Sequence, residues 1–201
     1  MLNLTVLTSR TTKSSRATPH FKNTEGHPVW VVTYQKCVDH SARVASVLMA
    51  HSGLRISTIG NYLGNDRLTV GDFPEMRIEN NQVIFEKTPA MVVVRSCLSK
   101  AGHQYFTFLS EEECEYLKDY LEERLRTGEE LTSKSPMITP KVRMKPFIKA
   151  TNVGDMIRKA IRKSGFKWRP YVLRACFDTQ LILAESKRAH HKRLPTVLDG
   201  A

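Results

Sequence analysis

The sequence predicts a mainly α-helical fold with a small antiparallel β-sheet, an α+β arrangement, and two patterns carry that prediction. Apolar residues recur at helical spacing along 38–50, 111–125 and 171–186. By contrast, the block from Met76 to Leu109 breaks into short strand-like runs separated by turn residues. At 201 residues and 22.9 kDa the chain can bury one real core, so one domain is the default.

Residues 1–33 combine a Ser/Thr/Lys/Arg-rich tract, Ser9 to Thr18, with a short β-prone run, Val29 to Thr33. Pro19, Gly26 and Pro28 punctuate them. Nothing here has a period that could anchor a domain, and 1–33 reads as a basic, poorly ordered arm. Simple disorder and a nucleic-acid contact are equally open roles for it.

The folded domain is expected over 34–189. VDHSARVASVLMA, Val38 to Ala50, places Val44, Ala45, Val47, Leu48 and Met49 on a buried helix. Gly53 breaks the period and a second helix begins near Ile56, which puts Arg55 at a tight helix–helix junction between Leu54 and Ile56. A junction fixes a side chain more closely than a loop does, although a capping or packing arginine is the plainer reading of this segment alone.

After LTVGDF, the runs MRIE and QVIFEK flank Asn80-Asn81, a tight-turn pair. AMVVVRS is apolar and β-rich, and YFTFL alternates as a half-buried strand does. A small antiparallel sheet of three strands follows. CLSKAGHQ lies between the last two runs as a hairpin tip carrying Lys100, a position where a lysine ordinarily serves as a solvated charge that blunts an edge.

Ser110 and Glu113 form a capping box that opens a helix through Cys114, Leu117, Tyr120, Leu121 and Leu125, stopping at Gly128. Its carboxylates suit a helix N-terminus and a solvated face; they do not make an acid–base pair. Thr132 to Pro146 reads as a linker. Thr151 or Asn152 then caps a helix through Ile157 and Ile161 to Ser164. From Tyr171 an amphipathic helix carries Val172, Leu173, Cys176, Phe177 and Leu181 on its apolar face, with Pro170 at the first turn, where proline is tolerated. Residues 190–201, HHKRLPTVLDGA, read as a short tail.

Arg174 lies inside that last apolar set. A buried guanidinium is costly unless it meets an anion, so Arg174 is either paired with a carboxylate or placed for a ligand such as phosphate. On this segment alone the carboxylate pair is the stronger reading.

Charge narrows the partner. The chain carries a formal net charge of +11, and from Lys134 to Arg193 there are 16 Lys or Arg against Asp155, Asp178 and Glu185. With Phe166 and Trp168 interleaved, this is the pattern of a phosphate-backbone contact surface, and Lys163, Lys167, Arg169, Lys187 and Arg188 are its expected members. Nucleic acid ranks ahead of an anionic membrane.

Other classes are set aside. Cys37, Cys97, Cys114 and Cys176 show no CxxC spacing and read as reduced thiols, not as zinc ligands or disulfides. The N-terminus lacks a continuous apolar signal region, no run is long enough to span a bilayer, and a cytoplasmic, DNA-associated home is the expectation. Gly-rich phosphate loops and the HExxH and GxSxG patterns are absent, so neither metal nor cofactor is expected.

Three segments together resemble the tyrosine recombinase (phage integrase) family. HSGLRISTIGNYLGNDRLTVGDF is similar to its first box, TGLRxSEL…L…D, and puts that box's catalytic arginine at Arg55. SKAGHQYFTFLSEE resembles the hairpin GKGxKxRxVPLxEE, with the catalytic lysine at Lys100. RPYVLRACFDTQL resembles the second box, HxLRHTxAT, with the second catalytic arginine at Arg174. The resemblance covers about Tyr34 to Ser186, and its wording is nearest to integrase-like proteins of archaea.

The resemblance implies a recombinase catalytic-domain fold, double-stranded DNA as partner, possible contacts with other recombinase protomers, and DNA strand breakage and rejoining as the ancestral chemistry. In that chemistry two arginines hold the scissile phosphate, a hairpin lysine protonates the leaving 5′-oxygen, and a tyrosine stores the bond as a phosphotyrosine without metal or ATP. This sequence departs from the pattern at Tyr171, where the family has His, and at Ala175, where it has a second His. The third box, LGHxxxxxTxxY, is missing, as is the N-terminal DNA-clamp domain; no tyrosine follows Arg174. Three readings stand: a C-terminally incomplete catalytic domain that binds DNA without cutting it, an enzyme whose tyrosine comes from another chain, and a generic basic nucleic-acid-binding domain in which the arginines are structural.

Overall fold

The computed structural model describes residues 29–37, 39–141 and 145–192. The described elements run α1 (Val29–Gln35), α2 (His40–Ala50), α3 (Ile56–Ile59), β1 (Met76–Glu79), β2 (Gln82–Phe85), β3 (Ala90–Val94), β4 (Tyr105–Leu109), α4 (Glu111–Arg126), α5 (Ala150–Lys163) and α6 (Tyr171–Lys192). Helices dominate and the strands are antiparallel, as the sequence predicts.

The core is organised around α2. Ala45 and Leu48 are fully buried there, and they share one apolar cluster with Leu117 and Leu121 of α4, Val153, Ile157 and Ile161 of α5, and Leu173 and Cys176 of α6. Asp39 caps α2, its Oδ1 accepting from the Ser41 N–H at 3.2 Å. Glu113 accepts from the Ser110 N–H at the start of α4, and Gly128, at φ +84°, ends that helix in the left-handed region.

The strands form two two-stranded ladders, β1–β2 and β3–β4, not the single three-stranded sheet expected. Each is a local pairing of adjacent runs. Asn80 and Asn81 take φ of +50° and +61°, closing the first ladder at the Glu79–Gln82 pair with the backbone that a two-residue hairpin requires. In the second, Ala90 faces Leu109 and Val94 faces Tyr105, and the alternation Ala90, Val92, Val94 points into the core.

Several boundaries move. The run at Val29–Thr33 is helical, not β, and α1 crosses the expected limit of the arm at residue 33. Thr33 and Tyr34 are buried and α1 packs on α2, α5 and α6, so tertiary contact overrides the β-branched propensity. The remainder of the expected arm, 1–28, lies outside the described residues. α6 likewise continues to Lys192, past the expected tail boundary at 190, and residues 193–201 are not described. α5 starts at Ala150 with Lys149 as its N-cap, ahead of Thr151 and Asn152. The expected linker is only partly a linker: Met137 and Ile138 are core residues.

Candidate functional site

Arg55 is the N-cap residue of α3, extended at φ −82° and ψ 151°, and its carbonyl accepts from the Thr58 and Ile59 N–H groups at 2.9 and 3.3 Å. The turn leading to it needs glycine. Gly53 sits at φ +64°, and a β-carbon there would stand 2.4 Å from Phe177 Cδ1. Leu54 is fully buried and donates its N–H to the Leu48 carbonyl at 3.1 Å, locking the turn onto the end of α2. The half-buried Arg55 side chain therefore leaves from a fixed backbone.

Phe177 belongs to α6, one turn beyond Arg174, so the helix carrying the second arginine packs directly on the junction carrying the first. Leu173 and Cys176, on either side of Arg174, are buried, and burial pushes the Cys176 thiol up to about 12, leaving it an inert packing group. Arg174 is half-buried, with its Nε and Nη1 fully enclosed and without a hydrogen-bond acceptor. Among the described residues no carboxylate pairs with it. The Arg–Asp or Arg–Glu pair favoured by the bare segment is thus corrected: Asp178, one turn away, is not its partner.

Elsewhere the fold does supply partners. Arg124 Nη2 meets Glu129 Oε1 at 2.7 Å, while its Nη1 donates to the Pro136 and Met137 carbonyls at 2.8 and 3.1 Å. Arg95 donates from Nε to Asp72 Oδ1 at 2.8 Å and from Nη2 to Asp66 Oδ1 at 3.2 Å and to the Arg67 carbonyl at 2.8 Å. Arg67 Nε is enclosed without an acceptor as well, but its Nη1 donates to the Asp66 carbonyl at 3.0 Å, whereas Arg174 makes no hydrogen bond among the described residues.

Lys100 is exposed in the β3–β4 connection, beyond a 3-10 turn at Ser96–Leu98, and Gly102 at φ +73° helps turn the chain. This connection is tied to α3 by Thr58 Oγ1, which donates to the Leu98 carbonyl at 3.4 Å. β4 is tied to the junction as well: Thr107 Oγ1 donates to the Ser52 carbonyl at 2.8 Å and Ser52 Oγ to the Phe108 carbonyl at 3.2 Å. The hairpin carrying Lys100 and the helix carrying Arg174 are therefore each braced against the segment carrying Arg55, and none of the three cationic groups has a carboxylate partner among the described residues.

The expected contact residues lie on three successive segments. Lys167 and Arg169 are exposed in the α5–α6 connection and Arg188 is exposed on α6; the side chain of Lys187 lies outside the described residues. Lys163 lines a groove of about 930 Å³ with Lys36 and Lys159, between α1, the end of α4 and α5, and none of Arg55, Lys100 or Arg174 borders it. The aromatics that seemed to interleave with these charges are packing groups instead. Phe166 is buried and stacks on Trp168, ring centroids 4.8 Å apart. Tyr171 is 58% exposed. The Arg95 bracket was not read from the sequence; Asp72 within LTVGDF was its only signal.

No family model matches this chain, and no curated protein matches it. A solved structure does: the crystal structure of XerA recombinase superposes with a TM-score of 0.53 at 19% identity, over 77% of this chain and 48% of that one. The fold is recombinase-like. At that identity the likeness concerns the fold alone, and this chain spans about half the length of that recombinase. Within a recombinase-like fold, the braced junction, hairpin and α6 are the segments whose wording resembled the family boxes. No described helix is long and apolar enough to cross a membrane, and no His/Cys/Asp/Glu cluster among the described residues could hold a metal ion.

Proposed function

We propose that this chain is a recombinase-type DNA-binding protein that grips a backbone phosphate of double-stranded DNA with Arg174 and Arg55, with Lys100 beside them, and does not cut DNA by itself. The observation that carries the reading is Arg174. Two of its guanidinium nitrogens are enclosed without an acceptor, on a helix packed against the Arg55 junction. A buried cation without a carboxylate is stabilised when an anion arrives, and a guanidinium fork matches two phosphate oxygens. Lys167, Arg169 and Arg188, all exposed, supply the wider attraction to the backbone.

The clamp orients and neutralises a phosphate but supplies no nucleophile. Covalent strand cleavage needs a hydroxyl in line with the leaving oxygen, and no tyrosine follows Arg174 in this sequence. Binding is tested by fluorescence anisotropy with labelled duplex across a salt series. Affinity is expected to fall with a log–log slope of about −0.9 per phosphate neutralised. Arg55→Ala and Arg174→Ala should each weaken binding by about 10-fold or more, the scale of a lost charge-assisted hydrogen bond. Salt-insensitive binding, or wild-type affinity in both variants, would remove the proposal.

A further inference from the structure

The loop that follows α3 is built as a firm mount for two apolar side chains that none of the described residues covers. Tyr62 is 82% exposed and Leu63 58%. Asn61 braces the loop from within, its side-chain oxygen accepting from the Gly64 and Asn65 N–H groups and its side-chain nitrogen donating to Asn65 Oδ1. From outside, the Ala150 N–H donates to the Asn61 carbonyl at 2.9 Å, the Phe147 N–H to the Gly64 carbonyl at 3.3 Å, and Lys145 Nζ to the Leu63 carbonyl at 2.9 Å. Two glycines allow the approach: a β-carbon on Gly60 would stand 2.7 Å from the Ile148 carbonyl oxygen, and one on Gly64, at φ +69°, 2.9 Å from that of Phe147.

A flexible loop could tuck such residues away; this one holds them out. Tyr62 therefore stands outside the packed core. Charge identifies what it meets. Lys145 and Lys149 are exposed on the segment against which the loop is pinned, and Asn61 and Lys149 form a β-bridge. Among the described residues neither lysine has a carboxylate within ion-pair distance, and Lys145 uses only one of its three donors on the loop. An exposed aromatic ring on a loop pinned beside two such lysines matches a ligand that alternates anionic groups with flat apolar faces, which is a nucleic-acid strand.

We infer that the 60–65 loop is a nucleic-acid contact in which Lys145 and Lys149 meet backbone phosphates and Tyr62, with Leu63, packs on a base or sugar face. This rests on the DNA-binding reading above, and α3 alone separates the loop from Arg55. The full chain is titrated with fluorescein-labelled duplex over a salt series. Tyr62→Ala should lower affinity by roughly 5- to 100-fold, the range of one aromatic–base contact, with the salt slope unchanged, while Tyr62→Phe keeps wild-type affinity. Lys145→Gln with Lys149→Gln should instead flatten the slope by about 1.8, two phosphates' worth. Because these side chains are exposed, thermal melts of the variants should match the wild type. Wild-type DNA binding in both the Ala and the double Gln variants would overturn the loop assignment and leave the Arg55–Arg174 clamp standing. Absence of binding by the wild-type chain would overturn both.

Discussion

Phe177 occupies the space into which a side chain at Gly53 would grow, its Cδ1 lying 2.4 Å from the position of a β-carbon there. This contact makes the hand-over from α2 to Arg55 and the placement of Arg174 a single packing problem. Gly53→Ala is expected to destabilise the fold on two counts, a left-handed φ of +64° and a ring that must move. The backbone part alone costs about 1–3 kcal/mol. Urea unfolding measures it, and combining the change with Phe177→Ala should cost less than the two changes summed, as contacting residues do.

Arg174 and Arg124 should respond oppositely to truncation. Arg124→Ala breaks its ion pair with Glu129 and takes the donor away from two backbone carbonyls, and is expected to cost about 3–5 kcal/mol, as when one partner of a buried ion pair is removed. Arg174→Ala breaks no hydrogen bond that the described residues make, so its stability should stay within about 1 kcal/mol of wild type while DNA affinity falls. Parallel melts and anisotropy titrations separate the two; a large loss of stability in Arg174→Ala would show that its role is structural.

Incubation of the chain with nicked duplex is expected to yield no adduct that survives denaturant. Tyr171 lies three residues before Arg174 on α6 and is 58% exposed, which makes it the control. A nucleophile must come within about 3–3.5 Å of phosphorus, in line with the leaving oxygen. An adduct that forms with the wild-type chain and disappears in Tyr171→Phe would reassign Tyr171 from helix surface to nucleophile.

Alkaline pH should weaken the fold. Burial pushes the Cys114 and Cys176 thiols from an ordinary 9.0 up to about 12, and it raises Tyr34 as well. Between those values the unfolded chain loses thiol protons that the folded chain keeps, so stability declines as pH rises through that window. Urea midpoints at successive pH values test the sign, and Cys114→Ala with Cys176→Ala should flatten the decline. Thiol labelling offers a companion check: exposed Cys97 should react first and the three buried cysteines only on unfolding.

Legibility in the sequence followed the range of the forces involved. Asn80-Asn81, the Ser110–Glu113 start and the Gly128 stop were readable because a few neighbouring residues decide them. Val29–Thr33 was misread because its β-branched composition says strand, while helix α1 is held by packing against elements far along the chain. The division of the strands into two ladders depends on which runs meet in space. For Arg174 the sequence showed a guanidinium on an apolar face, but whether a carboxylate would reach it is a three-dimensional question. Likewise, nothing local in the sequence shows that Tyr62 is held outward; the Asn61 bracing and the contacts from 145–150 decide it.

The Arg95 bracket gives the β3–β4 connection the mechanics of a lever. Its guanidinium rivets the end of β3 to Asp72 and Asp66, and Asp72 is itself held by the Thr69 N–H at 2.8 Å, so the strand cannot pivot below that point. The fulcrum lies at Arg95, and Lys100 sits beyond both it and the Leu98 carbonyl that Thr58 holds. The distance from that rivet to Lys100 is five residues of chain, which sets how far from the fixed strand end the lysine ammonium can be presented.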